Sequence, residues 1–78
     1  MNIFVYGTLL DDTVRGRVLG KDPTIIHCFR EFVNGKYFDV DEEDIKKLDR
    51  YESEYYKKIE VKLKSGTKSL VYTEQIYM

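Results

Sequence analysis

Alternation of apolar and charged residues is clearest in the segment from Lys57 to Lys64. Its apolar positions are Ile59, Val61 and Leu63. A period of two places such residues on one face of a strand and the charged residues on the other. The segment is therefore predicted to be an antiparallel strand with one solvated face. Ser65-Gly66 then predicts a turn into a partner strand over 69–73.

The N-terminal region is also predicted to be mainly extended. Its apolar run predicts a strand over 2–6 that ends at Gly7. Residues 9–13 are predicted to form a short turn or a helical turn, since Asp11 and Asp12 suit one. Residues 14–19 are predicted to be an edge strand, which Gly20 stops.

A hairpin is predicted in the middle of the chain. Residues 24–32 are rich in β-branched and aromatic side chains, which favours a strand. Asn34-Gly35 is a typical two-residue hairpin turn, and residues 36–40 are predicted to return as the partner strand.

The main helix is specified by its cap. Asp41 is predicted to be the N-cap, with Asp44 three residues later as a variant of the capping box. Ile45 and Leu48 define the apolar stripe that faces the core. The predicted order is four strands, one helix and two strands. This indicates an α+β domain over 1–78, a small curled antiparallel or mixed β-barrel with one main helix.

Composition narrows the functional classes. The 78 residues carry 13 basic and 14 acidic side chains, mixed along the chain, for a net charge of −1. With no basic block, we expect no nucleic-acid partner. With no apolar run near the ~20 residues that span a bilayer, we expect no membrane segment. A single cysteine and no apparent signal peptide predict a cytoplasmic protein.

Glu52 is the first candidate for chemistry. It follows Ile45 by seven residues and Leu48 by four, so a continuing helix would place it on the core-facing side. An inward carboxylate has a raised pKa unless it finds donors, and it suits a general base. The alternative is that the helix ends at Tyr51 and Glu52 faces solvent.

The second candidate is Val5-Tyr6-Gly7-Thr8-Leu9, a glycine turn after an apolar strand. Such a turn can offer backbone N–H groups to an oxygen of a ligand. The alternative is a structural turn that binds nothing. Cys28 and His27 are neighbours on a predicted strand and face opposite sides, so they form no nucleophilic pair. One His and one Cys also make a zinc site improbable, and we expect no metal or cofactor.

Together these segments resemble the γ-glutamylcyclotransferase-like (AIG2-like) family. Residues 3–9 are similar to its opening strand and Tyr-Gly-Ser/Thr-Leu loop, residues 35–40 to the strand before its helix, and Leu48-Asp49-Arg50-Tyr51-Glu52 to its Leu-Asp-x-x-Glu segment. The chain is shorter than typical members, and Ser53 stands where a glycine is usual.

The resemblance implies a small barrel with a flanking helix that cyclises a γ-glutamyl amide to 5-oxoproline and a free amine. Glu52 would be the general acid and base. Backbone groups of Gly7, Thr8 and Leu9 would hold the glutamyl moiety. Tyr6 and Tyr56 would belong to the substrate pocket. The expected partner is a small γ-glutamyl substrate.

Two alternatives stay open. The chain could be a non-catalytic barrel that binds a small carboxylate or a protein partner. It could also be a structural subunit that completes its cavity as a homodimer, because a short curled sheet leaves an edge exposed.

Overall fold

Five strands, two α-helices and one 3-10 turn form the protein, in a computed structural model that describes residues 1–74. The strands are β1 (Asn2–Val5), β2 (Ile26–Arg30), β3 (Val33–Asp39), β4 (Tyr56–Lys62) and β5 (Lys68–Glu74). The helices are α1 (Asp12–Leu19) and α2 (Glu42–Glu52), and the 3-10 turn is Thr8–Leu10. Residues 75–78 of the predicted domain lie outside the described residues.

The strands make one mixed sheet in the order β2-β3-β1-β5-β4. β1 runs parallel to β5, and the other neighbouring pairs are antiparallel. The sheet curls until the Lys64 N–H, just beyond β4, donates to the Phe29 carbonyl of β2 at 2.9 Å. This confirms the α+β class and the curled mixed sheet with one main helix. Within residues 1–74 the sheet remains open, because β2 and β4 do not pair as strands.

Helix α2 begins at the predicted capping box. The Asp44 N–H donates to Asp41 Oδ1 at 2.8 Å, and the Asp41 N–H donates to Asp44 Oδ2 at 3.0 Å. The ammonium of Lys21 lies 2.6 Å from Asp44 Oδ2, which pairs this buried carboxylate with a cation. The helix start is therefore held both by its own backbone and by the loop after α1.

Helix α1 includes residues 14–19, which were predicted to be an edge strand, and that prediction is wrong. Asp11 caps the helix, since its Oδ1 accepts from the Thr13 and Val14 N–H groups at 2.9 and 3.1 Å. Gly20 ends it in the left-handed region at φ 71°, and its N–H donates to Gly16 O. A side-chain cap and a left-handed glycine at the two ends outweigh the weak β preference of the valines between them.

The predicted hairpin turn at Asn34-Gly35 is also wrong, because the chain turns earlier. Arg30 pairs with Val33, so Glu31 and Phe32 form the turn and Glu31 takes φ 55°. Gly35 lies inside β3 for a packing reason: an added Cβ would collide with the backbone oxygen of Val5 and would lie 2.5 Å from Cζ of Phe4. The glycine therefore makes room for an aromatic ring of the neighbouring strand.

The core has two parts, one on each face of β1. Alternate residues of β1 point to opposite faces, so Ile3 and Val5 contact the helices while Phe4 faces the concave side. The larger cluster contains Ile3, Val5, Leu9, Leu19, Phe38, Val40, Leu48 and Tyr72. The smaller cluster contains Phe4, Leu63 and Val71. Within residues 1–74, no helix is long and apolar enough to cross a membrane.

Candidate active site

A cavity of about 240 Å³ lies where β1 ends, between the loop after it and the end of α2. Nine of the described residues line it: Phe4, Val5, Tyr6, Gly7, Thr8, Leu9, Glu52, Tyr56 and Tyr72. All six residues singled out from the sequence are in this set. The fold therefore brings together two segments that are more than 40 positions apart in the chain.

Glu52 is the last residue of α2, and it is half-buried in the cavity wall. The helix continues through this residue, so its side chain follows the apolar stripe instead of leaving for solvent. Burial raises the pKa of its carboxyl group above the ordinary value of 4.5. No basic side chain is among the described residues that line the cavity. Glu52 is thus a carboxylate whose proton affinity is increased by desolvation.

The loop after β1, residues 7–10, is a tight 3-10 turn. The Leu10 N–H donates to Gly7 O at 3.0 Å, and the Asp11 N–H donates to Thr8 O at 3.1 Å. In a trans peptide the C=O and N–H groups point in opposite directions, so these bonds also fix the Thr8 and Leu9 N–H groups. Within residues 1–74 those two amides donate to no carbonyl or side chain. They remain available to an acceptor in the cavity.

A hydroxyl pair connects this loop to α2. Thr8 Oγ1 and the Tyr51 hydroxyl lie 2.6 Å apart. Tyr51 directly precedes Glu52, so the bond ties the candidate donor loop to the helix end that carries the carboxylate. The sequence placed Thr8 in the candidate site but did not predict its hydrogen bond to Tyr51.

Tyrosine rings form much of the cavity wall. Tyr6 stacks on Phe4, with ring centroids 6.1 Å apart and an interplanar angle of 22°. The Tyr6 hydroxyl donates to the backbone carbonyl of Tyr72 at 2.9 Å, which fixes the ring against β5. Tyr56, the first residue of β4, stands partly exposed on another part of the wall.

Tyr72 and Asp49 form a polar cluster that sequence reasoning missed. The Tyr72 hydroxyl donates to Asp49 Oδ1 at 2.6 Å, and the Lys58 ammonium lies 3.0 Å from the same carboxylate. Burial, followed by the bond to Asp49 and the negative charges of Asp49 and Glu52, strongly raises the pKa of Tyr72. Tyr72 therefore stays protonated and keeps donating. The spacing of Asp49 and Glu52, three apart on α2, is the signal that places both near one helix end.

The remaining candidates do not join the site. His27 and Cys28 lie on β2 with different exposure, as their alternation on a strand predicts. Cys28 approaches Ser65 Oγ at 3.6 Å, on the far side of the sheet from Glu52's helix. No group of three or more His, Cys, Asp and Glu residues in the described part of the chain could hold a metal ion.

Comparisons with known proteins give two findings. The family described as gamma-glutamyl cyclotransferase, AIG2-like, matches residues 12–78, a range that includes Glu52 and Tyr56. A protein of Arabidopsis thaliana whose structure was solved in solution is similar with a TM-score of 0.72 at 19% identity. The similarity covers 94% of this chain and 61% of that protein, and it shows the fold. A search of the curated proteins gives no match.

Proposed function

The chain belongs to the gamma-glutamyl cyclotransferase, AIG2-like family, and on that premise we propose that it cyclises a small γ-glutamyl amide. The products are 5-oxoproline and a free amine. One observation carries the proposal: Glu52, with a pKa raised by burial, shares a small cavity with the unpaired amides of the loop after β1. A cytoplasmic location belongs to the same proposal.

In the proposed reaction the α-amine of the substrate attacks its own γ-carbonyl carbon. A new C–N bond closes the five-membered ring, and the γ-amide C–N bond breaks. The α-ammonium group has a pKa of about 8, so at neutral pH it must lose a proton before it can attack. Glu52 accepts this proton and passes it to the leaving nitrogen. After the attack the α-nitrogen loses a second proton to become the ring amide, and Glu52 passes this proton on as well, so that the amine leaves as an ammonium. Atoms and charges balance with one acid–base group, and no electron transfer is involved.

Burial in the cavity makes Glu52 a stronger base than an exposed glutamate. A carboxylate with an ordinary pKa near 4.5 is a weak base toward an ammonium, because the pKa of the ammonium is much higher. Desolvation raises the pKa of the carboxyl group and so reduces this difference. The attack is intramolecular, so the substrate already supplies much of the required proximity. The protein has only to hold the glutamyl chain in a folded conformation and move protons from the α-nitrogen to the leaving nitrogen.

The loop and the tyrosines would hold the substrate. The N–H groups of Gly7, Thr8 and Leu9 would donate to glutamyl oxygens, and negative charge that develops on the γ-carbonyl oxygen would strengthen such bonds. The rings of Tyr6 and Tyr56 would flank the aliphatic part of the glutamyl group. The cavity volume of about 240 Å³ suits the glutamyl part and leaves the amine outside.

The test is release of 5-oxoproline from a panel of γ-glutamyl amines and dipeptides. Wild type is compared with Glu52→Gln, which keeps the shape of the side chain, and with Glu60→Gln, an exposed residue of β4 outside this cavity. We expect release by wild type and Glu60→Gln, and none by Glu52→Gln. Equal release by all three proteins would contradict the role of Glu52.

The second candidate is a binding module for a small carboxylate. The observation in its favour is that the chain spans only 61% of the length of the similar Arabidopsis protein. Binding of 5-oxoproline by wild type without turnover of any substrate in the panel would support this alternative.

A further inference from the structure

Arg15 is an almost fully buried charge, with 2% of its surface exposed, on helix α1 behind the candidate donor loop. Its Nη1 donates to the carbonyl oxygens of Leu9 and Leu10 at 3.0 and 3.3 Å. Its Nη2 pairs with Asp12, and its guanidinium lies 5.9 Å from the centre of the Phe38 ring. A buried guanidinium needs such partners, and here two of them are backbone groups of the loop.

A second cation reaches the same loop from the sheet. Lys36, on β3, donates from its ammonium to Leu10 O at 3.2 Å. The acidic groups nearby are Asp12, which is largely exposed, and Asp11, whose carboxylate is engaged in capping α1. Hydrogen bonding and charge from Arg15, then the charge of Lys36, lower the pKa of Asp12. Two positive groups thus contact the back of the loop, and Asp12, the one carboxylate that pairs with them within residues 1–74, is exposed to solvent.

Every carbonyl from Gly7 to Leu10 is consequently bound. Those of Gly7 and Thr8 accept from the backbone, and those of Leu9 and Leu10 accept from Arg15 and Lys36. Fixing a C=O group fixes the N–H of the same peptide in the opposite direction. The carbonyls of Leu9 and Leu10 share their peptides with the Leu10 and Asp11 N–H groups, which donate to Gly7 O and Thr8 O and close the turn. The two cations therefore hold the peptides that close the turn, and the closed turn orients the Thr8 and Leu9 amides. The positive charge lies on the carbonyl side of the turn, opposite these donor amides.

We propose that Arg15 and Lys36 are positioning residues that orient the amides of loop 7–10 and make the cavity select ligands with an ionised carboxylate. The identity of the ligand rests on the function proposed above. Among the described residues that line the cavity none is basic, and Glu52 repels an anion. A glutamyl carboxylate therefore depends on the backbone amides and on the positive charge behind them.

The test measures binding of two ligands that differ in charge, 5-oxoproline and its neutral carboxamide. Binding is followed by NMR, from the shifts of the Gly7, Thr8 and Leu9 amides. Lys36→Met removes the charge and keeps the aliphatic stem. Lys47→Met is the matched control, because the Lys47 ammonium also donates to a backbone carbonyl, Leu19 O at 2.9 Å, away from the loop.

We expect Lys36→Met to weaken binding of 5-oxoproline about fivefold and to leave the carboxamide unchanged. Lys47→Met should alter neither. Equal loss for both ligands, no loss for either, or no binding of 5-oxoproline by wild type would overturn the proposal. Arg15→Lys keeps the charge but loses a donor, so we expect it to shift the Thr8 and Leu9 amides even without ligand. If that variant does not fold, the binding measurements on Lys36→Met still test the proposal.

The outcomes for this inference and for the proposed function are separable. Charge-dependent binding without release of 5-oxoproline from any γ-glutamyl amide would keep the inference and reject the enzyme. Release of 5-oxoproline that Lys36→Met leaves unchanged, together with equal binding of both ligands, would keep the enzyme and reject the inference.

Discussion

The hydroxyl groups of Thr8 and Tyr51 lie 2.6 Å apart and join the loop after β1 to the last turn of α2. The two halves of the candidate site are therefore connected by a direct bond as well as by the core. Since Glu52 follows Tyr51 directly, this bond ties the loop to the helix end that carries the carboxylate.

Removal of that bond should reduce activity more than stability. The bond is exposed, so Tyr51→Phe should cost about 1 kcal/mol or less in the free energy of unfolding. We expect kcat/KM for 5-oxoproline release to fall about three- to tenfold, because the loop and Glu52 lose their alignment. Tyr55→Phe, which alters an exposed neighbouring tyrosine, is the control. Identical kinetics for the two variants would argue against an aligning role for Tyr51.

Ser53 should be a site where glycine stabilises the protein. It ends α2 with φ 64° and ψ −171°, a conformation that glycine adopts far more easily than any other residue. Ser53→Gly should raise the free energy of unfolding by about 1 kcal/mol, which corresponds to a rise of about 4–8 °C in Tm. Ser53→Ala keeps a Cβ and should give no such gain. Thermal unfolding of the two variants measures the difference, and a gain with alanine would contradict this account.

Two glycines should respond to alanine in opposite directions. At Gly35 a Cβ would collide with Phe4, so Gly35→Ala should destabilise the protein by about 1–3 kcal/mol. At Gly16, inside α1, a Cβ would meet no atom within 4 Å, so Gly16→Ala should stabilise it by about 0.5–1 kcal/mol. Chemical denaturation can compare the two variants with wild type. A change of the same sign in both would exclude the packing explanation for Gly35.

The raised pKa of Glu52 predicts a pH-dependent effect on stability. The folded state holds the Glu52 proton more tightly than the unfolded state. The contribution of Glu52 to the free energy of unfolding is therefore fully present below the ordinary pKa of 4.5. It is lost as the pH rises through the pKa of Glu52 in the folded state. Glutamine does not ionise, so Glu52→Gln avoids this loss of stability. The variant should therefore be more stable than wild type at neutral pH and should lose that advantage in acid. Thermal unfolding at several pH values tests this, and an advantage independent of pH would point to another cause.

Strong local signals in the sequence predicted much of the fold. The capping box at Asp41 located the start of α2, and strict alternation located β4. Helix α1 was missed because its cap at Asp11 lies within an acidic pair that also suits a turn. The hairpin was misplaced because the glycine of Asn34-Gly35 serves packing against Phe4, a contact that exists only once β1 and β3 are paired.

The sequence likewise predicted some residues of the candidate site and missed others. Glu52 and the Gly7 loop could be predicted because one follows a helical stripe and the other ends a strand. Tyr72 and Arg15 could not, since their roles depend on neighbours that the sheet order and α1 bring close. For Arg15, the pair Asp12 and Arg15 at a spacing of three was the available signal, and it has meaning only on a helix.

The dependence of 5-oxoproline release on pH tests the central claim most directly. It would be measured from about pH 4 to about pH 9 on the most active substrate of the panel. We predict that kcat/KM rises through a pKa above the ordinary 4.5 of a glutamate, and that Glu52→Gln abolishes release at every pH. Turnover of substrate by Glu52→Gln with the pH profile of the wild type would contradict the account.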